Sequence, residues 1–378
     1  MTRKFLLLLL CSLLLFVGGC WDILLIEDLA LIQVIGFDED PEDSELMAVT
    51  IACPTLSEKA TASMFKVTVK AKSINQALIN AQRQAGRNLV LGQTTVLVFS
   101  EQFARSGKMN EVVRQLALLR DMNANAMLAV VQDAPAQHVL QLENPVETRI
   151  GVFLPNLLER NQYRGLTPTP TATEYWNKHH TLGIDPVAPI IQITGHEDEK
   201  KGLVIAGLGV FNSAGKMTGI LTDNEILPYQ MLSGEGGRLR FTTEVKIRNE
   251  RRTVAGYIEN VKCKIKSEIK NNKPSIDISL KLFVDGVDIE WDANVLDHKV
   301  IDKLGQLLAQ DFQGNIQEML EKTQNWQADC IGLGRRVRVQ HPKWFKGKDW
   351  AEEYKKCEIS VTAEVTVRRI GTLVEPQN

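Results

Sequence analysis

The sequence lacks the short signatures on which most enzyme readings rest. It has no GxSxG elbow, so a serine nucleophile of that kind has no recognisable setting. No His-Glu-x-x-His occurs; the nearest arrangement, His179-His180 with Glu174 before it, lacks the i, i+4 histidine pair that puts zinc ligands on one helix face. Gly207-Leu208-Gly209 has no third glycine and no following helix, which removes a dinucleotide site. The six cysteines form no CxxC or zinc-type spacing. Charge of one sign is also missing, with 44 basic against 46 acidic side chains, so nothing in the balance asks for nucleic acid. These absences point away from catalysis, metal sites and cofactors.

What is there begins at the N-terminus. Arg3 and Lys4 are followed by an apolar run, Phe5 to Phe16, then by Val17-Gly18-Gly19 and Cys20. A positive region, an apolar stretch too short for a comfortable span, and small residues at a cut site make an export signal. Because the small residues run straight into a cysteine, the expected signal peptide is 1–19 and Cys20 is the lipid-attachment residue of a bacterial lipoprotein. Removal of Arg3 and Lys4 with the signal takes the net charge from −2 to −4. Of the remaining cysteines, Cys53, Cys263 and Cys357 fall in step with apolar neighbours at period two, the pattern of small buried residues on strands. Pairing among Cys53, Cys263, Cys330 and Cys357 stays open on spacing alone.

The length behind the signal exceeds one ordinary core. LALIQVIGFD, LMAVTIAC and FKVTVKA read as neighbouring antiparallel strands. A helix opens at Ser73 with a capping box to Gln76. Strand TTVLVF, a helix carrying Met109, Val112, Val113 and Leu116 on one face, and strand AMLAVV complete an N-terminal α/β domain over 20–137. From 138 to 236 the signals weaken into a middle lobe or connecting region, where the prolines of PVAPIIQI predict an extended surface course. The C-terminal domain, 237–378, has long alternating strands from Val261 and Ser275 with NNKP as their turn. A long helix follows from about Asp297 to Asp329, in which Gly305 and Gly314 leave room for a bend, and a last strand, CEISVTAEVTVRRIG, closes the chain. In Gly332 to Trp350, basic residues Arg335, Arg336, Arg338, Lys343, Lys346 and Lys348 interleave with Trp344, Phe345 and Trp350. Two readings are open: an anionic-lipid or carboxylate-binding surface, or, the plainer one, a loop and edge strand whose aromatics plug the core. The expected class is α/β (α+β), elongated, with about three lobes of mixed and antiparallel sheets packed with helices.

With these segments in hand the chain resembles the Ger(x)C family, the lipoprotein subunits of spore germinant receptors. The resemblance rests on Gly19-Cys20-Trp21-Asp22, Leu29-Ala30, Gly36-Phe37-Asp38, LGQTTVLVFSEQFARSG, Arg120-Asp121, GLGVFNSAGKMTGIL and the block Ala328 to Gly334. Pro342, Trp344, Trp350 and Ile370-Gly371 extend it, while Leu25 and Val34 depart from the family's usual residues. It implies a non-catalytic component of a complex with two integral membrane subunits, anchored by the lipid on Cys20 to the outer face of the spore's inner membrane and required for nutrient-triggered germination. It implies no catalytic, cofactor-binding or metal residues. The alternative reading is the substrate-binding lipoprotein of an ABC-type uptake system, with two lobes hinged around a ligand.

Overall fold

The runs at 34–37, 96–99 and 127–131 are apolar at almost every position, which a strand can use only when both of its faces are covered. The computed structural model places them in the middle of one sheet. It describes residues 25–55, 63–143, 147–195, 201–234, 238–247, 250–289 and 298–368, and among these has three sheets and eleven α-helices, a mixed α/β architecture. In chain order the first half holds β1 (Leu29–Leu31), β2 (Val34–Glu39), β3 (Met47–Pro54), β4 (Met64–Ala71), α1 (Ile74–Gln82), β5 (Asn88–Val90), β6 (Val96–Ser100), α2 (Glu101–Ser106), α3 (Lys108–Ala117) and β7 (Met127–Val131). Then come α4 (Ala136–Gln141), α5 (Ile150–Tyr163), α6 (Ala172–His179), β8 (Val187–Thr194), β9 (Gly202–Phe211), β10 (Met217–Leu221) and α7 (Asp223–Ser233).

The main sheet has eight strands in the order β10-β9-β8-β7-β6-β2-β3-β4, with β2, β6, β7 and β8 parallel and the outer pairs antiparallel. Successive residues alternate between two cores. Ile35, Phe37, Leu97 and Phe99 meet α1, α2, α3 and α6 on one face, whereas Val34, Val96, Val98 and Ala129 meet α4 and α5 on the other. The Phe37 and Phe99 rings stack with centroids 4.9 Å apart. Ser73 caps α1, as its spacing predicts, by accepting from the Gln76 N–H at 3.3 Å; the Gln76 side chain reaches the Lys72 N–H instead of the Ser73 one. Gly36 permits α4 to close on β2, since a Cβ there would stand 3.1 Å from Leu140 Cδ1.

One expectation is corrected here. PVAPIIQI is no surface course: it forms β8, buried from Val187 to Ile191, between β7 and β9. Pro189 is tolerated because β8 meets β7 only at Ile190 and Ile191, so the proline is paired on one side alone. The stretch 138–236 thus adds α5, α6 and three strands to the sheet begun by 20–137. A Pro155 inside α5 hid that helix from the pattern.

The remaining elements are β11 (Leu239–Ile247), β12 (Glu250–Lys270), β13 (Lys273–Ile289), α8 (His298–Asn325), α9 (Leu333–Gln340), α10 (Pro342–Phe345), α11 (Trp350–Lys355) and β14 (Glu358–Val367). β11, β12 and β13 are antiparallel, and β12 turns into β13 at Asn271-Asn272, both with positive φ, as a two-residue hairpin turn favours. β14 returns parallel to β13 after the helical crossover. The α8 stripe predicted from the sequence is the buried one, with Leu304, Leu308, Phe312, Ile316, Met319 and Leu320 on the sheet. Its 28 residues run unbroken for about 42 Å at 1.5 Å each. Gly305 serves contact, not bending, since a Cβ there would lie 2.8 Å from the Val365 carbonyl oxygen. Val187, Leu208, Val210 and Leu221 of the main sheet share this core, so the two sheets are packed together.

Cys53, Cys330 and Cys357 are buried free thiols; Cys263 is exposed, against expectation. The reason is position: the β11 ladder ends at Ile258, so from there to its tip β12 is an edge. Among the described residues, no helix is long and apolar enough to cross a membrane.

Candidate functional site

Two glycine-bearing loops meet where the two sheets join. TLGIDP, 181–186, leads from α6 into β8, and ADCIGLG, 328–334, leads from α8 into α9. Gly183 and Gly332 both have positive φ, +85° and +81°, and so turn the chain where other residues would be strained. The backbones then pair: Asp185 N–H donates to the Asp329 carbonyl at 2.8 Å, and Arg335 N–H to that of Gly183 at 2.8 Å.

Asp329 is the centre of this joint and is fully buried. Its Oδ1 accepts from the N–H groups of Gly332 at 2.8 Å and Leu333 at 3.0 Å, and its Oδ2 from Gly334 N–H at 2.7 Å and Trp350 Nε1 at 2.9 Å. Three successive N–H groups at the start of α9 aimed at one carboxylate make a nest for negative charge. Asp329 N–H donates in turn to Asp185 Oδ2 at 2.7 Å. Burial pushes both carboxyls up. On Asp329 four donors oppose the push, so the pair's negative charge belongs there. Asp185 has one backbone donor and Asp329 beside it, and is pushed up to about 7, chiefly by burial.

The aromatics of the basic stretch hold this centre. Trp350 is buried between Phe345 and Tyr354, with ring centroids 5.7 Å and 6.0 Å away, and Gly334 leaves the space its indole fills. The Tyr354 hydroxyl bonds Thr323 Oγ1 of α8 at 2.8 Å. Of the two open readings, the structure favours aromatics as core plugs, with Trp344 half-buried and its Nε1 donating to Asn272 at 2.9 Å. The edge strand anticipated there is corrected to three helices, α9, α10 and α11. Arg335 and Arg336 are exposed while Val337 is buried. Two further ties complete the joint. Trp326 covers Gly219 of β10, where a Cβ would collide with its indole, and Lys322 of α8 pairs with Glu225 of α7 at 2.6 Å.

The other sequence candidates are not brought together as a site. Cys20 lies outside the described residues. Glu174 caps α6, accepting from Thr171 N–H at 2.8 Å, while His179 stacks on Tyr175 and His180 packs against Trp176. Among the described residues no three of His, Cys, Asp and Glu gather as metal ligands. A cleft of about 820 Å³ opens at the carboxyl ends of β2, β6 and β7. Of its charged groups, Glu101 pairs with Arg105 at 2.7 Å, Glu39 pairs with Lys108 at 3.0 Å, and Asp38 accepts from the Ala136 and Gln137 N–H groups. Asp185 and Asp329 were not singled out from the sequence as site residues. For Asp329 a signal existed, an Asp three residues before a glycine that opens a helix; for Asp185 there was none.

Comparison with known proteins agrees with this architecture. A family described as the spore germination protein N-terminal domain matches residues 22–193, and one described as spore germination B3/GerAC like, C-terminal, matches 206–371. The division falls between β8 and β9, inside the eight-stranded sheet. Spore germination protein GerQC of Bacillus cereus is 23% identical over 360 residues, covering 94% of this chain and 96% of the relative. Spore germination protein KC of Bacillus subtilis (strain 168) is 22% identical over 420 residues, covering 100% and 98%. The crystal structure of the GerBC protein shares the fold, with a TM-score of 0.54 at 16% identity over 88% of this chain and 96% of that one. The chain belongs to the Ger(x)C family of spore germination proteins.

Proposed function

We propose that this protein is the lipid-anchored, non-catalytic subunit of a spore germinant receptor, held by Cys20 on the outer face of the spore's inner membrane beside two integral membrane subunits. The observation that carries the reading is the leader: Arg3-Lys4, an apolar run and Gly18-Gly19-Cys20, in front of a chain that belongs to the family throughout. A diacylated cysteine brings two acyl chains, which suffices for stable anchoring. The joint supports a scaffold role. Asp329 spends its acceptors on protein donors and is sealed from solvent, which suits holding two sheets in register and gives a substrate no access.

An uptake-system binding protein would instead hinge two lobes about a ligand. The shared core of Val187, Leu208, Val210 and Leu221 with the second sheet counts against such a hinge. The test is a pull-down from detergent-solubilised spore inner membrane, wild type beside Cys20→Ala. Two polytopic membrane proteins recovered with the wild type, and lost or reduced with the variant, are expected. Recovery of an ATPase and a permease would replace this reading with the uptake one.

A further inference from the structure

The first described residues, Leu25 and Ile26, expose 57% and 68% of their surface, large apolar side chains left in water at the point where the chain leaves its N-terminal segment. Leu29 and Ala30, which follow shortly in the chain, help to line an apolar cleft of about 270 Å³ with Cys53, Pro54, Phe65 and Ala85. Among the residues that line it, Arg87 alone is charged. The chain itself limits what can face this patch. Four residues, or five Cα-to-Cα steps, separate Cys20 from Leu25, a reach of at most about 18 Å when fully extended.

We propose that this face, Leu25 to Ala30 with the 53–55 and 85–87 turns, lies on the outer leaflet and that the cleft takes an acyl chain of a bilayer lipid. The proposal rests on the Cys20 anchor described above. The tether keeps the cleft within one lipid length of the surface, and the cleft's mostly apolar lining selects hydrocarbon. The anchor's own acyl chains are a poor occupant. One chain alone gives marginal membrane binding, so withdrawing one of the two into the cleft would forfeit the stable attachment.

The test uses the full lipidated chain, in a Cys263→Ser background that removes the exposed thiol, reconstituted into phosphatidylcholine vesicles with brominated acyl chains. A fluorophore is attached at Gly86→Cys, where a new Cβ meets nothing within 4 Å, or at Gly314→Cys on α8, equally unobstructed, as the control. Quenching is expected at position 86 and not at 314, and should fall about twofold with Ile26→Asp, which trades an exposed apolar contact for a charge. Vesicle flotation is read alongside. Flotation without quenching at 86 overturns this proposal alone, whereas loss of flotation overturns the Cys20 anchor and this proposal with it.

Discussion

Asp38 and Asp329 are the same device built twice. Each is a buried aspartate whose two oxygens collect backbone N–H groups at the start of a helix. Asp38 takes those of Ala136 at 2.6 Å and Gln137 at 2.9 Å, and Asp329 those of Gly332, Leu333 and Gly334. Each also depends on a nearby glycine for close packing, Gly36 against α4 and Gly334 against Trp350. They differ in reach. Asp38 ties β2 to α4 within the eight-stranded sheet's own layers. Asp329 adds an indole donor and a second carboxylate, Asp185, and so fastens one sheet's unit to the other's. The lesson is that a cap inside one layer needs only donors, whereas a cap at a junction has acquired a neighbour whose protonation can alter it.

The strongest way to break the comparison is Asp329→Ala. Four buried donors lose their acceptor, and a loss of about 3–5 kcal/mol in unfolding free energy is expected, read by denaturant titration. Asp38→Ala should cost less, about 2 kcal/mol, because fewer donors are orphaned and the burial penalty on the carboxyl is relieved. Equal losses would mean that Asp329's extra partners contribute nothing.

Asp185→Asn sharpens the contrast. The folded protein holds the Asp185 proton up to about 7, while the unfolded chain releases it near the ordinary 3.8. Between those values the folded state binds more protons, so this group's contribution to stability falls as pH rises and is lost above 7. Asparagine has no such proton. The difference between variant and wild type should therefore grow in the variant's favour from pH 4 to 8, by up to about 4 kcal/mol. A constant difference would detach the pH response from this pair. The comparison of variants also cancels the opposite trend from His179, whose pKa burial lowers.

The parts of the fold that were legible were those whose side chains report their burial directly. The doubled apolar runs of β2, β6 and β7 and the α8 stripe from Leu304 to Leu320 had one reading each. The failures share a cause, which is that local pattern was overruled by a partner distant in sequence. Arg335 to Gln340 alternates like a strand, yet Asp329 supplies the acceptors that start a helix there and Trp350 fills the groove at Gly334. Pro189 sits in a central strand because its neighbour on one side begins only at Ile190. Cys263 keeps step with Val261 and Ile265 but lies past the end of the strand that would have covered it. The Asp185–Asp329 pairing spans 144 positions, and neither residue carries a mark of the other.

The eight-stranded sheet has one more consequence, for how this chain can be divided. The boundary between the two family segments cuts between β8 and β9, so a fragment ending near 193 would present Val187–Thr194 as a bare margin, apolar on both faces and stripped of the β9 ladder. Bare margins of that kind recruit strands from other molecules. The two segments share one sheet, so a cut between them leaves each with a strand unpaired on one side, and expression of either is best attempted with the other attached.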